Sequence, residues 1–180
     1  MFSNENKKQA DMCRFCWMCR HICPVAGATG SEGWGPRARG LMVSMIERGS
    51  AELDAEIAEA MYHCTMCDAC ANDCETGWKP TDFIREARMY CVANEVAPAA
   101  INTAIDNILT KGNIYGEALN EKLAARIEAL PETADVLVYI GQTGRCFGAD
   151  SAISFLNILD KAKVGYTTLK DEPPTGALLG

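Results

Sequence analysis

Apolar residues recur at helical spacing through most of this chain and change period only towards its C-terminal end. In the stretch 50–63, Leu53, Ile57, Ala60 and Met61 fall on one face, with Ser50 as N-cap and an acidic first turn. Over 81–92, Phe83, Ile84, Ala87 and Cys91 do the same, and Thr81 stands as a cap behind Pro80. Two further helices are expected. One spans 97–111, carries Ile101, Ala104, Ile105 and Ile108, and stops at Gly112. The other spans 116–130, carries Leu119, Leu123, Ile127 and Leu130, and stops at Pro131. KGNIYG (111–116) between them reads as a loop. The run DVLVYI (135–140) is apolar and β-branched and enters a glycine-rich turn, GQTGRCFG. A helix over 149–162, with Ile153, Leu156, Ile158 and Leu159, and a strand over 165–169 complete a βαβ unit with a parallel pair. Two strands are too few to bury a sheet alone, so this unit is expected to lean on the helical part or on another polypeptide.

The pattern predicts a mainly α protein in three parts: a helical domain over 1–93, a helical connector over 94–131 and a small βαβ unit over 132–180. A length of 180 residues suits one domain or two small ones. The net charge of −7 argues against a nucleic-acid partner, because phosphate binding needs a basic face. No apolar run reaches the roughly 18 residues of a membrane-spanning helix.

Cysteine changes the picture. Eight of the ten cysteines form two copies of C-x2-C-x2-C-x3-C: Cys13, Cys16, Cys19 and Cys23, followed by Pro24, then Cys64, Cys67, Cys70 and Cys74. Thiolates spaced this closely on short loops can point at one iron–sulfur cube, and the spacing is that of bacterial two-cluster ferredoxins. Two other readings compete. A disulfide framework needs an oxidising compartment, and MFSNENKKQADMC offers no apolar signal segment to reach one. A four-cysteine zinc site needs only two C-x2-C pairs, which leaves half of each run unexplained. Two [4Fe–4S] clusters are therefore expected, in a reducing cytoplasm at low oxygen. No strand is expected among the cysteine runs, so the domain reads as all-helical rather than as the βαβ sandwich of small ferredoxins.

CRFCWMCRHICP, GWGPRARGLM, YHCTMCDACANDC and FIREAR together resemble the α-helical dicluster ferredoxin module of the small iron–sulfur component of heterodisulfide reductases. The iron–sulfur subunits of glycolate oxidase and of anaerobic glycerol-3-phosphate dehydrogenase carry a similar module. KGNIYG and ADVLVYIG resemble the passage into the cysteine-rich domain that follows in those subunits. Where that domain has Gly-Cys and Cys-Cys-Gly, this chain has Gly141-Gln142 and Pro174-Thr175-Gly176. The resemblance therefore implies a cysteine-depleted remnant acting as a docking element, with no third redox centre. In the ferredoxin pattern the fourth cysteine of each run ligates the other cluster. By that rule Cys13, Cys16, Cys19 and Cys74 hold one cluster, and Cys64, Cys67, Cys70 and Cys23 the other. The competing assignment has each run hold its own cube.

The resemblance implies an electron-transfer subunit of a larger oxidoreductase, itself without a catalytic residue. A flavoprotein subunit carrying FAD or FMN is the expected partner on one side, and a further redox subunit or carrier on the other. Peripheral membrane association would come through a partner. A free-standing dicluster ferredoxin and a zinc-stabilised scaffold are the alternatives. Cys91 is expected to be a buried core thiol and Cys146 a loop cysteine. His21 and His63 flank ligand positions and are expected to be packed or solvated; Phe15, Trp17 and Trp34 are expected to shield the clusters. Arg37 and Arg39 are read as structural, and Glu75, where the pattern has proline, as a negative charge near one cluster. The turn from Gly141 to Gly144 lacks the full dinucleotide fingerprint and carries no nucleotide-binding expectation.

Overall fold

The N-terminal stretch NENKKQAD has almost no apolar face, yet it is a helix, α1 (Asn4–Asp11), because Ser3 caps it and Phe2 and Ala10 anchor its ends in the core. The computed structural model describes residues 2–176, so Met1 and residues 177–180, the ends of the expected first and last segments, lie outside the described residues. Beyond α1 come α2 (Met18–Ile22), α3 (Pro24–Thr29), a 3-10 turn (Glu32–Trp34), α4 (Pro36–Glu47), α5 (Ala55–Tyr62), α6 (Ala69–Asn72) and α7 (Pro80–Ala93). Then follow α8 (Ala99–Lys111), α9 (Glu121–Glu128), β1 (Val136–Val138), α10 (Gln142–Cys146), α11 (Ala149–Lys161) and β2 (Tyr166–Thr168). The protein is mainly helical, with one small parallel sheet among the described residues. It divides into two compact units, residues 2–102 and Thr103–Gly176.

In the first unit α4 and α7 pack against each other and against α1 and α5. α4 opens with Pro36 in its first turn and buries Pro36, Arg39, Gly40 and Val43, one stripe at helical spacing. α7 opens with Pro80 in the same way and buries Phe83, Ile84, Ala87 and Cys91, the face expected from the sequence. Phe2, Val43, Met61, Trp78, Phe83 and Ile84 form the core, and each such side chain contributes about 1.5–3 kcal/mol on burial. Gly40 lets the indole in: a Cβ there would lie 2.6 Å from Trp78 Cζ2.

Two buried arginines finish α5. Arg39 Nε donates to the Ala60 carbonyl (2.6 Å), and Arg88 Nε and Nη2 donate to that of Met61 (3.1 and 3.0 Å). These are last-turn carbonyls, which have no partner within the helix and favour a cation.

Two expected caps are corrected. Ser50 does not start α5: its N–H bonds the Met45 carbonyl while that of Gly49 (φ +70°) bonds Ile46, which makes Ser50 part of the turn closing α4. Asp54 caps α5 instead, accepting the Ile57 N–H at 2.9 Å. Thr81 does not cap α7 either, since it lies inside the helix and its hydroxyl bonds Asp68.

In the second unit β1 and β2 pair in parallel, Val136 opposite Tyr166 and Val138 opposite Thr168. Leu123 and Ile127 of α9, Leu156 of α11 and Tyr166 form their own small core. The expected helix 116–130 shrinks to α9, because Asn120 caps it and Gly116 (φ +69°) turns the chain before it. The expected glycine-rich turn after the first strand is corrected to a helix, α10, which Gly141 (φ +81°) enters directly from the strand region. Ile158 is 61% exposed and belongs to no buried face of α11, and Leu137 of β1 is 57% exposed.

Candidate metal centres

The two cysteine runs fold alike, at a constant offset along the chain. The eight-residue helix α1 is followed by Met12 and Cys13; the eight-residue helix α5 is followed by His63 and Cys64. Phe15 (φ +55°) and Trp17 (φ +70°) then adopt the left-handed conformation, as do Met66 (φ +55°) and Asp68 (φ +59°). None of the four is glycine, so each costs on the order of 1–3 kcal/mol, and such strain persists only where the surroundings impose it. Its effect is visible at the first sulfur of each run: Cys13 Sγ accepts the Phe15 N–H, and Cys64 Sγ that of Met66, both at 3.4 Å. α2 and α6 follow and carry the third cysteines, Cys19 and Cys70.

The fourth cysteines part company. Cys23 caps α3, its sulfur accepting the Ala26 N–H at 3.5 Å with Pro24 next in the helix. Cys74 enters a turn closed at Gly77, with its sulfur 3.2 Å from the Thr76 hydroxyl.

Two cavities result. Cys13, Cys16, Cys19 and Cys74 line one, with Arg14, Trp17, Met18, Arg37, Asp73, Glu75, Thr76 and Trp78 around them. Cys23, Cys64, Cys67 and Cys70 line the other, together with Pro24, Val25, Pro36, Arg39, Asp68, Thr81 and Ile84. Each cavity thus gathers three cysteines of one run and the last of the other.

The thiols of each cavity feel one another, and Cys70 also feels Cys19 across the two groups. Burial pushes the Cys19 thiol up to about 11, aided by repulsion from Cys13, Cys16 and Cys74. Cys70 is pushed up to about 12 by burial, then by Cys64, Cys19, Cys67 and Cys23. Cys67 moves down, because the Ala69 N–H and the Thr65 hydroxyl favour its thiolate. For Cys74, burial acts upwards, but hydrogen bonds from Thr76 and from the Trp78 N–H outweigh it and the thiol ends low. Four mutually repelling sulfurs around a small apolar hollow are a donor set for a soft, positively charged group, and thiolate-held iron–sulfur clusters are such a group. No three His, Cys, Asp or Glu side chains among the described residues converge closely enough to hold a single ion.

Other sequence candidates separate clearly. Trp17 lines the first cavity and lies over the Arg37 guanidinium at 3.7 Å, while Arg37 also pairs with Glu32. Phe15 is corrected from a shield to a half-exposed ring in a neighbouring groove, and Trp34 instead stacks on His63 at 4.1 Å. His63 Nδ1 lies 2.8 Å from the Glu59 carbonyl, and neither it nor the exposed His21 lines either cysteine cavity. Glu75 does line the first. Cys91 is wholly buried in α7, its thiol raised to about 11 by burial; Cys146 ends α10 beside a separate groove. Trp78, between the polar residues of ETGWKP, gave no periodic signal, yet it is the largest buried side chain and lines the first cavity.

Residues 9–78 match the family model of the 4Fe-4S dicluster domain, a stretch holding both cysteine runs and Trp78. No curated protein matches the chain. The match supports iron–sulfur binding and electron transfer as the chemistry of this stretch. No helix among the described residues is long and apolar enough to cross a membrane.

Proposed function

We propose that the chain carries two [4Fe–4S] clusters and relays electrons within a multi-subunit oxidoreductase. Cys13, Cys16, Cys19 and Cys74 hold one cluster, and Cys64, Cys67, Cys70 and Cys23 the other. The supporting observation is the pair of four-cysteine cavities, each completed by the opposite run. When bound, each cluster supplies one-electron redox chemistry.

The protein's own residues do the rest. Arg39, Ile84, Trp17 and Trp78 wall the cavities with bulky side chains, while Cys16 and Cys67 lie exposed and give each centre a short route to the surface.

A subunit role is favoured over a free carrier by the second unit, which leaves Leu137, Phe155 and Ile158 exposed. The relay runs between a flavoprotein subunit bearing FAD or FMN and a further redox subunit, in the manner of the small iron–sulfur component of heterodisulfide reductases, in the cytoplasm.

Anaerobic purification tests this. Brown protein with about eight irons per chain, two reduced paramagnetic signals and a co-purifying flavoprotein are expected. Colourless, zinc-loaded protein would overturn the cluster reading, and a lone brown monomer the subunit reading.

A further inference from the structure

Each cysteine cavity is lined by one residue that carries a buried N–H donor without a hydrogen-bond partner. Trp78 is 1% exposed, lines the cavity of Cys13, Cys16, Cys19 and Cys74, and its Nε1 has no partner. Arg39 is also 1% exposed and lines the cavity of Cys23, Cys64, Cys67 and Cys70. Its Nε is engaged by Ala60, but its Nη2 is buried and unpartnered. Native proteins rarely strand such groups, and a functional acceptor is one of the few reasons to do so.

The coincidence has a common structural origin. Arg39 and Gly40 are consecutive on α4. The arginine reaches one cavity, while the missing side chain of Gly40 admits the Trp78 ring, which walls the other. One turn of helix therefore positions both donors. Arg20 Nε, a third buried side-chain nitrogen without a partner among the described residues of this unit, belongs to neither lining.

We propose that Trp78 Nε1 and Arg39 Nη2 are positioning donors that hydrogen-bond sulfur in their respective centres and set the two reduction potentials independently. This rests on the two-cluster reading. A donor to sulfur stabilises the more negative, reduced state and raises the potential. The guanidinium adds a full charge to its N–H, so Arg39 acts more strongly on its centre than the neutral indole does on the other.

The test is a redox titration of the full chain followed by electron paramagnetic resonance. Trp78→Phe keeps an aromatic ring and removes the donor; Arg39→Gln removes the charge. Each variant is expected to lower one midpoint and leave the other in place. The two variants should move different midpoints, Arg39→Gln by more. Wild-type potentials in both variants at full iron content would overturn the proposal.

Should a variant fail to retain iron, the wild-type protein still decides. After exchange into D2O, electron–nuclear resonance should show an exchangeable nitrogen-bound proton coupled to each reduced centre, and its absence would overturn the assignment. Wild-type protein without iron would instead refute the cluster reading itself.

Discussion

The two halves of the cysteine domain share a backbone and little else. Both run from an eight-residue helix through one residue to the first cysteine, then through two left-handed residues into a short helix. Their side chains at matching positions differ in kind. Where the first half has Trp17 against Arg37, the second has Asp68 bonded to the Thr81 hydroxyl. Where the first continues through Pro24 into α3, the second turns at Gly77 towards α7. A left-handed site filled by tryptophan in one copy and aspartate in the other is not selected for backbone comfort. The spacing of the sulfurs sets the path of the chain, and the occupants of the strained positions are free to serve each cavity's surroundings.

The sharpest way to break this likeness is to remove the element that crosses between the halves. Cys23→Ser is expected to cost the centre housed mainly by the second run, and Cys74→Ser the one housed mainly by the first. In each case iron should fall by about half, and the surviving paramagnetic signal should differ between the two variants. If each variant lost the centre of its own run, the crossing would be refuted.

A smaller effect is expected from Gly40→Ala. The added methyl meets Trp78 at 2.6 Å, so overpacking should cost about 1–3 kcal/mol in denaturant unfolding. The spectrum of the first centre, which Trp78 walls, should be perturbed more than that of the second.

The mildest test is acid. α1 ends in Asp11, whose carboxyl is held below its usual range by the Ser44 hydroxyl (2.7 Å) and then by Arg48 (3.0 Å). The matching end of α5 is Tyr62, whose hydroxyl is pushed up to about 12 by burial and titrates nowhere near acid. A lowered carboxylate stabilises the fold above its unfolded value of about 3.9 and loses that stabilisation as pH falls through its folded value. Because Asp11 is exposed, the effect should be only a few tenths of a kcal/mol. Hydrogen exchange at the C-terminal end of α1 should quicken below about pH 4, and Asp11→Asn should remove that acid-dependent change.

Much of this is legible in the amino-acid sequence. The eight cysteines announce themselves by spacing, and the buried faces of α5 and α7 follow from apolar residues at helical intervals. The parallel strand pair was legible too, because a β-branched run before and after a helix has few other ways to fold. What escaped was decided by tertiary contact. α1 is polar along its length and holds its place through Phe2 and Ala10, and no periodicity reveals that. Ser50 and Thr81 were plausible caps in sequence, but one was claimed by the turn that closes α4 and the other by Asp68. The two glycines after β1 read as a turn, yet the Arg145 N–H closes back on the Gly141 carbonyl at 3.0 Å and makes a helical turn of it. Trp78 is the clearest case: a lone aromatic among polar neighbours has no pattern, and its importance comes from the space left by a glycine far away in sequence.

The exchange of fourth cysteines also has a consequence for the birth of the molecule. A ribosome adds roughly 5–20 residues per second, so Cys13, Cys16 and Cys19 emerge on the order of several seconds ahead of Cys74. During that interval the nascent chain owns three quarters of one nest and a single corner of the other. Both are then finished within the few residues from Cys64 to Cys74. On the proposed two-cluster reading, loading is thereby postponed to one late moment, and a chain arrested before it has neither nest complete.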